Sequence, residues 1–189
     1  MFDIASKLII VSGPSGVGKD TLAKEIVRMD DSFSIAVSAT SRAPRGAEQD
    51  GVEYYFISPE EFEKKAENGE FIEYAQYGSN YYGTLKEDVQ RRIDNGKTVI
   101  LVIEVIGAEN VKTLYPDALS VFVMPPSEEV LENRLRARQT ENEAAIAKRM
   151  EIAKSEMKKS VEYDFTVVND VLETSVEEMY KIVCNNRNK

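Results

Sequence analysis

Gly13-Pro14-Ser15-Gly16-Val17-Gly18-Lys19-Asp20-Thr21 decides how the rest of the chain is read. An apolar run, Leu8-Ile9-Ile10-Val11, leads into it, and Leu22, Ile26 and Val27 follow at helical spacing. That is strand, glycine-rich turn, helix. Gly13, four residues and Gly18-Lys19 have the spacing of a phosphate-binding P-loop. Glycines let successive backbone N–H groups curl toward an anion, and the helix beginning there adds its positive end. Lys19 is placed to reach the β- and γ-phosphates of a nucleotide. The pattern expects a serine or threonine directly after the lysine, as a ligand for Mg²⁺. Here that position is Asp20, with Thr21 behind it. The competing reading is a glycine-rich turn with no ligand, and the strand-before, helix-after context argues against it.

Working outward, residues 7–12 read as a buried parallel strand and 19–29 as the first helix. Ser34–Val37 is a short strand, and Ser38 to Gly46 is loop by composition. Val52–Ile57 reads as a strand. Ser58, Pro59 and Glu61 then open a helix by N-cap, first-turn proline and capping box, and it stops at Gly69. Phe71–Tyr77 and Tyr81–Thr84 flank a hairpin turn. Lys86–Asn95 is helical. Val99–Val105 is apolar except for Glu104 and reads as a central strand, with a short helix near 108–114 after it. Leu119–Met124 is a further buried strand. Helices over 127–138 and 143–160, a strand at Phe165–Val168 and a helix capped by Ser175 complete the chain.

The expected fold is α/β: a parallel sheet with helices on both faces, a small β-rich insertion and a helical excursion rich in arginine. One domain is expected over 1–189. Its core lies at about 1–34, 85–125 and 161–189, the insertion at about 35–84 and the excursion at about 126–160.

Composition narrows the function classes. A net charge of −9 disfavours a general nucleic-acid binder. No apolar run approaches the ~20 residues of a membrane span. Met1-Phe2-Asp3-Ile4 has neither the basic nor the apolar part of a secretory leader. A single cysteine, Cys184, allows no intrachain disulfide. These features point to the cytoplasm. There is no histidine, so chemistry that needs an imidazole base is out of reach. Phosphoryl transfer to an acceptor that is already an anion needs none. Arg42 and Arg45, held on one loop by Pro44, would repel each other unless an anion joins them, and forked donors suit a phosphate.

With these residues in view, the sequence resembles the guanylate kinase family over nearly its whole length. The matching stretches are Ser12 to Lys19, Ser38 to Arg45 with Glu48, Asp50 and Gly51, then Tyr54-Tyr55-Phe56, Gly69 to Glu73 and Asn80 to Thr84. Pro125-Pro126-Ser127, Tyr163-Asp164 and Val168-Asn169-Asp170 follow. The P-loop is common to many enzymes. The set from Ser38 to Thr84 is far more specific.

The resemblance implies transfer of a phosphoryl group from ATP, with Mg²⁺, to GMP and also dGMP. It implies that Arg42, Arg45, Tyr54 and Tyr82 hold the GMP phosphate, and that Ser38, Glu73, Thr84 and Glu104 surround the guanine. A carboxylate suits guanine, whose N1–H and N2–H₂ are adjacent donors, and repels the N1 lone pair of adenine. For Tyr54 and Tyr82 a plain core role is the alternative. The excursion becomes a lid in which Arg134, Arg138 and Arg149 reach the triphosphate, with Arg138 and Arg149 joining Lys19 and Arg42 in catalysis. Asn169 would lie beside the adenine. Arg136 is better explained by a charged helix face with Glu132. A monomer or a homodimer is expected.

This chain departs from the family pattern at Asp20, at Val102 (many relatives have an acid two residues before Glu104), at Ile106, and at Ala137 and Gln139 around Arg138. Asp20 and Val102 suggest a linked exchange of metal ligands, with Asp20 in the Mg²⁺ shell. Two other functions remain open at this stage. One is a kinase of the same fold acting on a sugar phosphate such as ribose 1,5-bisphosphate, whose P-loops carry Lys-Asp. The other is a non-catalytic guanylate-kinase-like domain that binds phosphopeptides.

Overall fold

Leu8 to Ser12 are all buried, because this strand, β1 (Leu8–Ser12), has a parallel neighbour on each side and helices over both faces. The computed structural model describes residues 4–137 and 143–186. In it β1 sits between β7 (Thr98–Val102) and β8 (Leu119–Met124). The outer strands are β2 (Phe33–Ile35) and β9 (Phe165–Val168), giving the order β2-β7-β1-β8-β9, all parallel. Alternate residues of β1 serve different cores. Ile9 and Val11 pack with α1 (Lys19–Met29) and with Val176, Met179 and Val183 of α7 (Leu172–Asn186). Leu8 and Ile10 pack with Val89 and Ile93 of α3 (Lys86–Asp94) and Ala108 and Val111 of α4 (Val105–Leu114).

Residues 38–85 build a second sheet of β3 (Ser38–Thr40), β4 (Tyr55–Phe56), β5 (Phe71–Tyr77) and β6 (Asn80–Leu85), in the order β4-β3-β6-β5. Between β4 and β5 runs α2 (Pro59–Glu67), opened by the Ser58 Oγ, which accepts from the Glu61 N–H at 3.1 Å. Phe62 of α2 stacks on Phe71, with centroids 4.3 Å apart, and forms a small separate core with Ala39. A register shift between Phe71 and Glu73 lets three consecutive residues face three places. Phe71 joins the insertion core, Ile72 joins the core beneath the central sheet, and Glu73 meets Thr84. The helices α5 (Glu128–Ala137) and α6 (Glu143–Met157) stand above β1, with Leu131, Leu135, Ile146 and Met150 anchored in the main core.

Four local expectations change. Ser38–Thr40 is a strand, paired with β6 some forty residues away. Of residues 52–57 only Tyr55–Phe56 is strand. The apolar run after Thr98 leaves the sheet at Val102, and Val105 starts α4 with its side chain still buried. The last helix begins at Leu172. Ser175 does not cap it but lies inside, its hydroxyl donating back to the carbonyls of Val168 and Val171 at 3.0 and 2.9 Å.

Candidate active site

The turn after β1 is forced into its shape by what surrounds it. Gly13, Gly16 and Gly18 have φ of 142°, 87° and 99°. At Gly13 a Cβ would come within 2.3 Å of the Val123 carbonyl oxygen, so β8 closes against the loop where only glycine fits. Lys19, the first residue of α1, is 6% exposed. Its Nζ donates to the carbonyls of Gly13 (2.6 Å) and Pro14 (3.2 Å) and lies 3.7 Å from Glu104 Oε1. The ammonium is thus held within the curl of the loop.

Three distant segments converge there. Arg149 of α6 donates to Ser15 Oγ at 2.8 Å. Arg134 of α5 donates to the carbonyls of Val17 (3.3 Å) and Asn169 (2.9 Å). Asn169 Nδ2, buried just past β9, donates to the Val17 carbonyl at 2.8 Å. Arg136 faces away, paired with Glu132 and Glu143. Arg138 lies outside the described residues.

The second cluster belongs to the insertion. Thr84 faces Ser38 on one side and Glu73 on the other. Its hydroxyl donates to Glu73 Oε1 at 2.8 Å. Glu73 is 8% exposed. Burial pushes its carboxyl above the usual range, the bonds from Thr84 oppose this, and the charge of Glu104 adds to it. Its other oxygen lies against Gly107 of α4, where a Cβ would stand only 2.7 Å away. Glu104 itself is not a buried strand residue. It occupies the N-cap position of α4, its side chain making no capping bond, and is exposed.

Arg42 is nearly buried and makes a two-pronged pair with Glu48, both bonds 2.9 Å, plus a 2.7 Å bond to the Ala43 carbonyl. The guanidinium lies 5.2 Å from the ring centre of Tyr54, and Tyr54 meets Tyr82 edge-on at 6.1 Å. The bond to Glu48 raises the Arg42 pKa, against burial and with help from Tyr82. Arg45 is exposed, and its peptide N–H donates to Glu48 at 2.7 Å. The hydroxyl of Tyr54 is pushed up by burial first and then by the charge of Asp20. Asp20 and Thr21 are exposed on the first turn of α1, and Glu104, 3.7 Å from the Lys19 ammonium and close enough to Glu73 for its charge to be felt there, joins the two clusters across one cleft. Among the described residues, no group of three or more His, Cys, Asp or Glu is arranged to hold a metal ion.

The guanylate kinase family model matches residues 5–186. The chain belongs to the guanylate kinase family. It is 44% identical to a guanylate kinase of Clostridioides difficile (strain 630), over the whole of this chain and 92% of that protein. Identity to a guanylate kinase of Halalkalibacterium halodurans is 46%, over 93% of this chain and 86% of that one. The crystal structure of guanylate kinase from Anaplasma phagocytophilum superposes with a TM-score of 0.76 at 30% identity, covering 96% of this chain and 86% of that chain. A shikimate kinase from Bacteroides thetaiotaomicron shares the fold alone, at a TM-score of 0.50 and 16% identity.

Two groups at the cleft carry no signal in the sequence strong enough to assign them. Glu48 belongs to a stretch that matches the family but has no role assigned by the resemblance, and its pairing with Arg42 needs the loop to fold back on itself. Glu156 of α6 is pushed up to about 7, by burial first and then by Glu104, against the pull of Lys19 and Lys159. Its position on a buried helix face, seven residues after Arg149, is the one clue the sequence offers.

Proposed function

We propose that this chain transfers the γ-phosphoryl group of Mg·ATP to GMP, giving ADP and GDP, and that dGMP is also an acceptor. The observation that carries this is the shared cleft. A P-loop with a buried lysine faces an insertion that presents a buried carboxylate, Glu73, beside Thr84. The acceptor phosphate is largely a dianion at neutral pH, its second pKa being about 6. The task is then alignment and charge neutralisation, which a protein without histidine can perform.

In this proposal Arg42, Arg45, Tyr54 and Tyr82 hold the GMP phosphate, and Ser38, Glu73, Thr84 and Glu104 read the base. Gly13 to Thr21 cradle the ATP phosphates, Arg134, Arg138 and Arg149 bind the triphosphate, and Asn169 lies beside the adenine. The enzyme works on free nucleotides in the cytoplasm, as a monomer or homodimer, and uses neither nucleic acid nor membrane. The test is an ADP-release assay with GMP, dGMP, AMP, UMP and ribose 1,5-bisphosphate. GMP and dGMP are expected to be turned over fastest. Equal or faster turnover of AMP or the sugar phosphate would reject the assignment.

The metal is assigned on donor chemistry. Mg²⁺ takes one or two carboxylates together with phosphate oxygens, and Asp20 offers a carboxylate next to Lys19 on the cleft side of α1. When bound, the ion neutralises phosphate charge. Val102 pairs with Val11 of β1, so residue 102 lies one strand from the loop, where an acid could share that duty. Asp20→Ser is expected to lower kcat and to flatten the dependence of ATP affinity on Mg²⁺. Adding Val102→Asp is expected to restore kcat. If Asp20→Ser changes neither quantity, Thr21 does this work and Asp20 is only solvated.

A further inference from the structure

Asp88 lies in the first turn of α3, is 3% exposed, and belongs to neither cluster described above. Its surroundings are built. The peptide N–H of Val37 donates to Oδ2 at 3.0 Å, and the Tyr55 hydroxyl donates to Oδ1 at 2.8 Å. Arg92 donates through Nε (2.7 Å) and a terminal nitrogen (3.2 Å), and Arg91 adds a further bond. Arg92 also reaches Ser34 Oγ at 2.6 Å, and Arg91 donates to the Tyr55 oxygen at 2.8 Å. Burial opposes ionisation of Asp88, but Arg92, the Val37 N–H and Tyr55 outweigh it and keep the carboxyl below its usual value. A buried acid with this many donors is a fixed anion.

Asp88 and its partner Val37 stand beside the two places where the chain passes between the central sheet and the insertion. The outgoing crossing is Ala36-Val37, between β2 of the central sheet and β3 of the insertion. The return crossing is Leu85-Lys86, where β6 runs directly into α3. Asp88 sits on α3 three residues past Leu85 and binds Val37, so one carboxylate ties the outgoing crossing to the helix into which the insertion returns. Each bond also abuts a residue of the acceptor site. Val37 precedes Ser38, on the base side, and Tyr55 follows Tyr54, on the phosphate side.

We infer that Asp88 is a positioning residue for the acceptor nucleotide: from α3 it ties down the outgoing crossing at Val37 and β4 at Tyr55, and so holds the Ser38 and Tyr54 walls in one register. This rests on the assignment of the insertion as the GMP site. Asp88 touches no substrate. It acts through Val37 and Tyr55, and the ATP side of the cleft, built on β1, α1 and the lid helices, is independent of it.

The wild-type chain is assayed first, and failure to use GMP would reject the acceptor assignment itself. With GMP confirmed, Asp88→Asn is expected to raise KM for GMP about 10-fold or more, the loss expected for bonds to a charged group, while KM for ATP moves less than about 2-fold. Tyr55→Phe keeps the ring, removes one neutral bond and is expected to raise KM for GMP about 2- to 10-fold. It also keeps the question open to an answer should Asp88→Asn fold poorly. In both variants the amide of Val37 is expected to exchange faster, a readout that does not depend on which acceptor is used. Equal shifts in the two KM values, or an unchanged KM for GMP together with unchanged Val37 exchange, would reduce Asp88 to a clamp for the arginines of α3 and overturn the inference. Unchanged Val37 exchange alone would do so if GMP is not the substrate.

Discussion

Lys19→Met should lower kcat/KM by about 10²–10³-fold or more while the protein stays folded, because a preorganised donor to a developing anion is lost. Methionine matches the reach of the lysine stem but carries no charge. In the structure the ammonium spends its bonds on the Gly13 and Pro14 carbonyls, with Glu104 nearby. Those contacts hold the cation in the centre of the loop, so little reorganisation is needed when a phosphate arrives. The apolar anchors of the same segment are Val17, Leu22, Ala23 and Ile26, all with no exposure, and none depends on Lys19 for packing. Steady-state kinetics with a thermal melt separates the two effects. Retention of more than about a tenth of wild-type kcat/KM would be far too small a loss for this role.

The parts of the fold that the sequence reveals are those set by neighbours along the chain. The apolar run 8–11, the glycines after it and the helix after those are one local unit. Its reading needs no knowledge of β7 or β8. The start of α2 is equally local, since Ser58, Pro59 and Glu61 lie within four residues. What stays hidden depends on partners far away. Ser38–Thr40 has loop composition, and it becomes a strand because Tyr82, Gly83 and Thr84 pair with it. Val99–Val105 has one apolar character throughout. The switch from strand to helix after Val102 leaves Val105 and Ala108 as buried as Leu101, so burial pattern alone does not mark the boundary. The site shows the same division. Family resemblance brought forward Glu73 and Thr84, eleven residues apart, and the structure shows them bonded. Glu48 as partner of Arg42, Gly107 as the space beside Glu73, and Asp88 at the crossings are pairings that only the folded chain assembles.

Arg42→Ala is expected to raise KM for GMP by about 10- to 150-fold, the loss of a charge-assisted hydrogen bond, and to leave KM for ATP nearly unchanged. The structure makes this loss larger than that of Arg45→Ala. Arg42 is buried against Tyr54 and Phe56, with its guanidinium fixed before any ligand binds. Arg45 contributes a peptide N–H to the same loop, and its exposed side chain must be ordered on binding. The neighbour left behind matters as much. Glu48 is held below the usual carboxylate range by Arg42 first and by the Arg45 N–H second. Without Arg42 its charge stands next to the incoming phosphate with nothing to balance it. Arg42→Ala with Glu48→Gln is therefore expected to bind GMP better than Arg42→Ala alone, although Glu48→Gln in the wild-type background loosens the loop and weakens binding. That reversal of sign distinguishes a phosphate-binding arginine from a surface ion pair. If Arg42→Ala leaves KM for GMP unchanged, or if Glu48→Gln acts in the same direction in both backgrounds, Arg42 and Glu48 only shape the loop and the phosphate is held elsewhere.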